Sequence, residues 1–351
     1  MPGNVFIDRH NESLTESLYM LFEDRLGMKV FEPVGMEWYT EGYWKINNLE
    51  ETARQYLMPD YLPVDGSPPL NAGLKDLTYR YETVYDGRLR RMLTWEQAKQ
   101  VPFDIILASV PAHVEPFHDL ARARGAYFIL QVGNEWDFED YGDINVLASI
   151  EPRETSTNAV FYHQEFDLKK FYPTQAQPNG NVYSFINTLE EFPTSWQKFL
   201  DLEEATKEKG TTFKSFGGQC RDGAINGRLA VADKMREAML IYQVKPGGDG
   251  FGHVIHNAYA VGRTIIVRPK DYEGQLAERL LTRGTFIDIT DVPANLFEMT
   301  PTNATAFRIT GYMGKPDALK QMGETAYEVF KSVVNFDEDV VRIDKWLQHL
   351  K

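Results

Sequence analysis

The residues best suited to chemistry lie in one glycine-rich stretch, GGDGFGHVIHNAYAVGR, at positions 247–263. Its first six residues include four glycines, which let a bulky anion approach the backbone because they carry no Cβ. A helix beginning at His253 would add unpaired backbone N–H groups and the positive end of its dipole. His253 and Asn257 would share one face of that helix. These features favour a phosphate-binding loop, with a turn that only packs a helix on a sheet as an equal alternative.

The surrounding segments predict that this stretch lies at one edge of a parallel sheet. IYQVKP is a predicted strand that ends at the loop, HVIHNAYAV a short helix closed by Gly262, and RTIIVRP the next strand. Before them come the predicted strands NVYSFINT and TTFKSFGG and the helices FPTSWQKFLDLEEATKEKG and GRLAVADKMREAML. Such alternation predicts a parallel sheet covered by helices, whose ligands bind at the carboxyl ends of the strands.

The first half of the chain shows the same alternation. NVFI and MKVFEPV are predicted strands on either side of the helical LTESLYMLFEDRLG, and the buried strands FDIILASV and AYFILQVGN flank the helix PAHVEPFHDLARARG. Polar, proline-containing segments between about 150 and 180 predict a domain boundary near residue 175. The fold class is therefore α/β, with two facing doubly wound, Rossmann-like domains at 1–175 and 176–335.

Composition excludes several classes of protein. The 351 residues suffice for two domains with cores of their own, and a single cysteine, Cys220, excludes a disulfide within the chain. No apolar run approaches the roughly 20 residues of a membrane span, and the N-terminus lacks the pattern of a signal peptide. We therefore expect a cytoplasmic protein without a membrane span, located in the host cytoplasm if a phage encodes it.

Charge and spacing argue against a metal site and a broad nucleic-acid interface. The net charge is −14, whereas duplex-binding faces usually carry a basic stripe. The densest basic cluster is DGRLRRML, with Arg88, Arg90 and Arg91. The histidines and the cysteine show no zinc spacing, and the acidic run 337–339 is predicted to be a solvated part of a terminal helix.

The segment 249–266 resembles the donor-site segment of GT-B glycosyltransferases, especially the retaining branch related to glycogen synthase. That segment has the form E-G-F-G-x-x-x-x-E-A-x-A-x-G-x-P-V-I. The matching residues are Asp249, Gly250, Phe251, Gly252, Asn257, Ala258, Ala260, Gly262, Ile265 and Ile266. The resemblance implies that Asp249 lies near the sugar hydroxyls and that Asn257, which replaces a glutamate at the same spacing, holds the ribose of the nucleotide. Arg263-Thr264 replaces the usual x-Pro.

The resemblance also implies the GT-B layout, in which a C-terminal helix, here 336–351, returns to the first domain. It implies a nucleoside diphosphate sugar as co-substrate, for which we expect a UDP-sugar, and no obligatory metal or cofactor. The family often has an arginine and a lysine after the first strand of its donor domain, where this chain has NTLEEF. Lys245, or Arg221 in FGGQCRDG, would supply the charge instead, with a surface arginine in a turn as an equal alternative for Arg221. The candidate donor-binding residues are Lys245, Gly248, Gly250, Phe251, Gly252, His253, Asn257 and Arg221.

Further candidates follow the strands of the first domain. Asp8 and His10 come after NVFI, where a histidine resembles the catalytic base of inverting GT-B enzymes or is simply a polar residue at a helix start. His113 follows FDIILASV, where retaining members often place a histidine beside the donor sugar, so both stereochemical outcomes stay open. The candidate catalytic residues are His10, Asp8, His113 and Asp249, and the acceptor-side candidates are Glu135, His163 and Glu165.

Three hypotheses follow for the function. The first is a glycosyltransferase acting on a glycan or small-molecule hydroxyl. The second is a phage-type enzyme that glycosylates hydroxymethylated pyrimidines in DNA, with Arg88, Arg90 and Arg91 for charge and Tyr79, Tyr81 and Tyr85 for stacking. The third is a non-catalytic nucleotide- or sugar-binding protein that keeps the fold. His163 and Glu165 would line the acceptor entrance or only anchor the linker, and Glu135 would line the acceptor side or be a solvated loop acid.

Overall fold

The chain forms two compact units in a computed structural model. One unit comprises residues 1–166 and 336–351, and the other comprises 167–335. The structure describes residues 3–8, 12–33, 81–85, 88–93, 95–109, 111–133, 144–150, 158–225, 227–290 and 300–350. The boundary therefore follows Phe166 and not residue 175, because residues 167–175 pack on the second unit through the contacts of Thr174 described below.

The first unit is built on an eight-stranded sheet. Its strands are β1 Asn4–Ile7, β2 Lys29–Pro33, β3 Tyr81–Tyr85, β4 Arg88–Leu93, β5 Ile105–Ala108, β6 Tyr127–Val132, β7 Asn145–Ala148 and β8 Ala159–Phe161. The order across the sheet is β3-β4-β2-β1-β5-β6-β7-β8. All neighbours are parallel except β3 and β4, which form an antiparallel pair at one edge. The strands predicted from the sequence, β1, β2, β5 and β6, form the centre.

Helices cover this sheet because each strand presents apolar side chains to both faces. Among the described residues of this unit before α9, the helices are α1 Glu12–Tyr19, which continues as a π-helical turn Met20–Arg25, α2 Trp95–Ala98 and α3 Pro111–Arg124. Val5 and Ile7 belong to one core cluster with Leu18 of α1. Phe6 points the other way and stacks on Phe117 of α3, with ring centroids 5.4 Å apart.

The second unit has a five-stranded, all-parallel sheet of order β10-β9-β11-β12-β13. Its strands are β9 Asn181–Ser184, β10 Thr212–Ser215, β11 Leu240–Tyr242, β12 Thr264–Val267 and β13 Phe286–Asp288. Its helices are α4 Pro193–Thr206, α5 Arg228–Glu237, α6 His253–Ala260, α7 Pro301–Met313 and α8 Pro316–Val333. The chain runs from β9 to one neighbour, β10, and then crosses to the other, β11, so the switch point lies between β9 and β11. In the first sheet it lies between β1 and β5.

The last helix, α9 Phe336–Leu347, belongs to the first unit. Asp339 on α9 is 4 % exposed and accepts a hydrogen bond from the backbone N–H of His163 at 2.8 Å. Arg25 bridges Glu165 at 2.5 Å and Asp337 at 3.0 Å. The prediction of a solvated acidic run holds for Asp337 but is wrong for Asp339, whose carboxylate is buried against the His163 backbone.

A buried arginine ties the second unit together. Arg263 is 0 % exposed, and its guanidinium donates to the carbonyl oxygens of Arg236, Ala238, Val261 and Gly262 and to both oxygens of Thr174. These carbonyls end α5 and α6, where a cation is stabilised by the helix dipole. Burial, and secondly the charge of Arg236, lowers the pKa of Arg263 to about 10, so the guanidinium stays charged at neutral pH.

We predict that Arg263→Met lowers the free energy of unfolding by about 3 kcal/mol, because several buried carbonyl oxygens lose their donor. Chemical denaturation measures this change. Arg122→Met is the control, since Arg122 is exposed on α3. Equal unfolding curves for the two variants would show that the buried bonds of Arg263 add nothing net.

Candidate functional site

The loop from Gln243 to Gly252 follows the central strand β11 at the carboxyl edge of the second sheet. It leads directly into α6, as the sequence predicts. This edge beside the switch point is where sheets of this type bind ligands. The first-turn N–H groups of α6 and its dipole therefore lie at the expected position for an anion.

Two glycines of the loop are required by space as well as by backbone conformation. Gly248 and Gly252 have φ of 74° and 77°, in the left-handed region that disfavours other residues. A Cβ on Gly248 would overlap the carbonyl oxygen of Asp271, and one on Gly252 would lie 2.7 Å from the Cβ of Ala277. The loop thus packs its bare backbone against residues 271–277.

Gln275 fixes this packing with hydrogen bonds. Its Nε2 donates to the carbonyl oxygen of Gly247 at 2.7 Å and to that of Asp271 at 2.9 Å. Its Oε1 accepts from the backbone N–H of Asp249 at 2.9 Å. Sequence analysis missed Gln275, and nothing in its neighbourhood YEGQLAER marks it.

The predicted donor residues of the loop are held by contacts with one another. Lys245 Nζ lies 2.6 Å from Oδ1 of Asp249, so each charge is partly balanced by the other. The ring of Phe251 stacks on that of His256 with centroids 4.0 Å apart, and Nδ1 of His256 lies 3.0 Å from the carbonyl oxygen of Gly252. These contacts set the point at which α6 begins.

Two polar side chains on α6 have buried atoms that form no hydrogen bond with any described residue. Oδ1 of Asn257, in a residue 2 % exposed, and both ring nitrogens of His253 have no hydrogen-bond partner among the described residues. Burial, then the charge of Arg228 and then His256, holds the pKa of His253 well below its usual range. The imidazole is therefore neutral at pH 7. Buried polar atoms without partners are uncommon in proteins and often mark a binding site.

Arg228 is a cation of this region that sequence analysis missed. It is the first residue of α5 and is buried, and its guanidinium lies 4.9 Å from the ring centroid of Phe171. The only indication in the sequence is that a glycine precedes it at a helix start after a strand. Helices that follow parallel strands begin at the carboxyl edge of the sheet, which places Arg228 at the same edge as the loop.

The switch point of the first unit holds a second polar cluster. Asp8 directly follows β1 and accepts from the backbone N–H and the hydroxyl of Ser109, at 2.6 and 2.7 Å. Nδ1 of His113, in the first turn of α3, lies 3.0 Å from Oδ2 of Asp8. The carboxylate therefore orients the imidazole through Nδ1. Both side chains are buried.

Comparisons with known proteins identify this architecture. No protein-family model and no curated protein matches the sequence. Among solved structures, Anabaena HepE in complex with UDP and glucose matches with a TM-score of 0.62 and 12 % identity over 100 % of both chains. The chain has the GT-B fold.

Two further GT-B structures match with nearly full coverage. The S. aureus TarM structure, a complex that contains UDP, has a TM-score of 0.58 at 9 % identity and covers 98 % of this chain and 99 % of that one. The sucrose-phosphate synthase of Thermosynechococcus elongatus has a TM-score of 0.58 at 10 % identity, covering 99 % and 98 %. At these identities the likeness establishes the fold.

Arg221 is held by acidic side chains and a backbone carbonyl of the second unit. It pairs with Glu203 at 2.8 Å and Asp222 at 3.3 Å and donates to the carbonyl oxygen of Phe213 at 2.8 Å. These partners belong to α4, β10 and the turn after β10. The structure thus gives Arg221 a place in the packing of α4 on β10.

Two of the acceptor-side candidates, His163 and Glu165, bind Asp339 and Arg25, respectively. These contacts connect the segment 163–165 to α9 and to the end of the π-helical turn. His10 and Glu135 lie outside the described residues. Of the predicted catalytic residues, the structure brings Asp8 and His113 together and pairs Asp249 with Lys245.

The basic cluster of β4 is paired with acids of the same unit. Arg88 lies 2.5 Å from Asp24, Arg91 2.7 Å from Glu23, and the buried Arg90 3.7 Å from Glu32. Tyr79 is outside the described residues. Groups of side chains able to hold a metal ion do not occur in the part of the chain that the structure describes. No helix within that part is long and apolar enough to cross a membrane.

We predict that Gly248→Ala destabilises the protein more than Gly247→Ala. Both glycines have a positive φ, at 74° and 73°, so each alanine costs about 1 kcal/mol in backbone conformation. No described atom lies within 4 Å of a Cβ on Gly247, whereas Gly248 meets Asp271 and Gln275, which adds about 1–3 kcal/mol. Thermal and denaturant unfolding measure the difference. Similar losses for both would show that the loop does not pack as described.

We predict that His253 makes the free protein less stable as the pH falls. The unfolded chain takes up a proton on this histidine below about pH 6.5, whereas the native imidazole resists protonation. Protons therefore favour the unfolded state. The stability of the wild type should fall more steeply between about pH 7 and 5.5 than that of His253→Gln. Parallel curves would contradict the lowered pKa.

Proposed function

We propose that the protein is a glycosyltransferase that moves a sugar from a nucleoside diphosphate sugar, a UDP-sugar, to an acceptor hydroxyl. The observation that carries this proposal is the loop 245–252 at the carboxyl edge of the second sheet, which leads into a helix whose first turns carry unpartnered buried polar atoms. The HepE and TarM structures of the same fold contain UDP, which supports a nucleotide as the ligand of this chain too.

The diphosphate would bind at the start of α6. The backbone N–H groups of the first turn and the helix dipole attract negative charge, and the glycine backbone leaves room for the phosphates. Lys245 and Arg228 supply positive charge at the same edge of the sheet. A departing diphosphate needs this stabilisation, because charge develops on it in the transition state. We propose that these groups provide it without a metal ion.

The ribose would bind at Asn257. An amide oxygen accepts a hydrogen bond from a hydroxyl, and Oδ1 of Asn257 is buried without a partner among the described residues. Asn257 is one helical turn beyond His253, so a ligand bound at the start of α6 would reach it from the same face. The amide thus takes the ribose-binding role that the resemblance gives to a glutamate.

Asp8 and His113 are the proposed reactive pair of the first unit. Asp8 binds Nδ1 of His113 and thereby orients Nε2 as the ring nitrogen that acts on the acceptor hydroxyl. Asp249 remains a proposed ligand of the sugar hydroxyls, with Lys245 as the group that orients it. Positioning of this kind supports transfer because it holds the reacting groups in line.

The structure favours a small-molecule or glycan hydroxyl over a DNA base as acceptor. A DNA-binding face needs cations available to phosphates, but Arg88 and Arg91 already form close ion pairs and Arg90 is buried. The proposal therefore does not include DNA glycosylation.

The first test measures the melting temperature with nucleoside diphosphates and their sugars, followed by sugar transfer or donor hydrolysis with the ligand that binds. A ligand of the native state raises the melting temperature by mass action. We expect a UDP compound to do so in the wild type and in the control His349→Gln, which changes an exposed histidine. Asn257→Ala should weaken binding about tenfold, the effect of one buried hydrogen bond.

A second variant separates binding from turnover. His113→Ala should retain nucleotide binding, since it lies in the first unit, and lose most of the transfer rate, by about 100-fold or more for a group that acts in proton transfer. Nucleotide binding with neither transfer nor hydrolysis in the wild type would instead support the non-catalytic hypothesis. No stabilisation by any nucleotide would refute the donor site itself.

A further inference from the structure

Arg228, which is cationic, and His253, which can become cationic, come from different helices and interact electrostatically at the proposed donor site. Arg228 begins α5 and His253 begins α6. In addition to burial, the positive charge of Arg228 disfavours protonation of the His253 imidazole. We propose that Arg228 and His253 together form a proton-linked diphosphate site, in which binding of the nucleotide diphosphate brings one proton onto His253. This inference rests on the proposed donor function and adds how the site recognises and responds to its ligand.

The geometry of His253 indicates a ligand that is both polar and buried. Both ring nitrogens are buried without a hydrogen-bond partner among the described residues, and the ring lies edge-on to Phe251 with centroids 4.8 Å apart. On the same helix, one turn on, Oδ1 of Asn257 is buried and equally unpartnered. Unpaired buried donors and acceptors are costly, and a phosphate oxygen accepts from imidazolium nitrogens in a short, strong bond.

Arg228 compensates for basic residues that this chain lacks. The first strand of the second unit, β9, is followed by INTLEEF without an arginine or lysine before residue 198. Arg228 follows the next strand instead, and contact with the ring of Phe171 at 4.9 Å holds its guanidinium in place by a cation–π interaction. A planar guanidinium fixed in this way is suited to binding phosphate oxygens.

The surroundings of His253 explain why a proton is taken up, and not released, when the nucleotide binds. Burial above all, then the charge of Arg228 on α5 and then His256 on α6, lowers the pKa of His253, so the histidine is neutral in the free protein. The two negative charges of a bound diphosphate reverse this balance, because an opposite charge a few ångströms away raises the pKa of a histidine. The proton comes from solvent when the nucleotide binds and returns to solvent when it leaves.

The consequence is that the affinity for nucleotide sugar rises as the pH falls. One linked proton changes the dissociation constant by at most tenfold per pH unit, so we expect tightening by about 3- to 30-fold between pH 8 and 6. A nucleotide sugar is the appropriate probe. Its diphosphate is esterified at both ends and lacks the second phosphate pKa, near 6, of a terminal phosphate, so the ligand itself does not titrate in this range.

Isothermal titration calorimetry of the full chain with UDP-glucose provides the test. Titrations at pH 7 in two buffers of different ionisation enthalpy count the protons taken up, and titrations from pH 6 to 8 give the dissociation constants. We expect uptake of a fraction of one proton in the wild type and in His349→Gln. His253→Gln should show no uptake and a dissociation constant independent of pH, and Arg228→Met should weaken binding at every pH.

The possible outcomes distinguish the proton linkage from the proposed donor function on which it rests. Binding of UDP-glucose by the wild type with no proton uptake and no dependence on pH would overturn the proton linkage and leave the donor site standing. Uptake that persists unchanged in His253→Gln would also overturn it, because another group would then carry the proton. If neither UDP-glucose nor a panel of other nucleotide sugars binds at any pH, both the inference and the donor function fail. If His253→Gln does not fold, the wild-type titrations still test the proton linkage, because a wild type that binds with no proton uptake overturns it.

Discussion

The close approach of the loop 247–252 to residues 271–277 is the constraint on which the second unit depends. The backbone at Gly248 and Gly252 lies against Asp271 and Ala277 with no space for a side chain, and Gln275 bonds to the loop on both sides of Gly248. This packing fixes the start of α6 at His253, directly after the loop that follows β11. The first N–H groups of α6 therefore lie at the carboxyl edge of the sheet. Side-chain packing alone would allow the helix to start at many other positions.

The two ends of α6 differ in whether their buried polar groups form hydrogen bonds. At the C-terminal end, Arg263 uses its guanidinium fully on backbone and hydroxyl oxygens, so this end is rigid and complete. At the N-terminal end, His253 and Asn257 keep buried atoms without partners among the described residues. Folded proteins usually satisfy their buried polar groups. The C-terminal end of α6 follows that rule through Arg263, and the N-terminal end departs from it.

The sequence predicted what depends on local pattern. Continuous apolar runs predicted β5 and β6, and glycine spacing predicted the loop and the start of α6, because both requirements lie within a few residues. The short strands β3, β4, β7 and β8 were not predicted, since their apolar runs are brief. Gln275 and Arg228 were not predicted as site residues. Their contacts are with segments that are distant in the sequence and come together only in the folded chain. Arg221, chosen for its place after a strand, pairs with Glu203 on α4, which no local pattern connects to it.

Arg263 also determines where the chain can be divided. Thr174 lies before the first strand of the second unit, yet it supplies two of the acceptors that neutralise this buried cation. A fragment beginning at residue 176, just past the boundary suggested by composition, would lose the two acceptors that Thr174 supplies to the guanidinium, whereas one spanning 167–335 would keep its full set of acceptors. The second unit is a single uninterrupted insertion within the first. Exchange of this second unit for another of the same fold, by recombination or by design, would therefore have to carry the connecting segment along with the sheet.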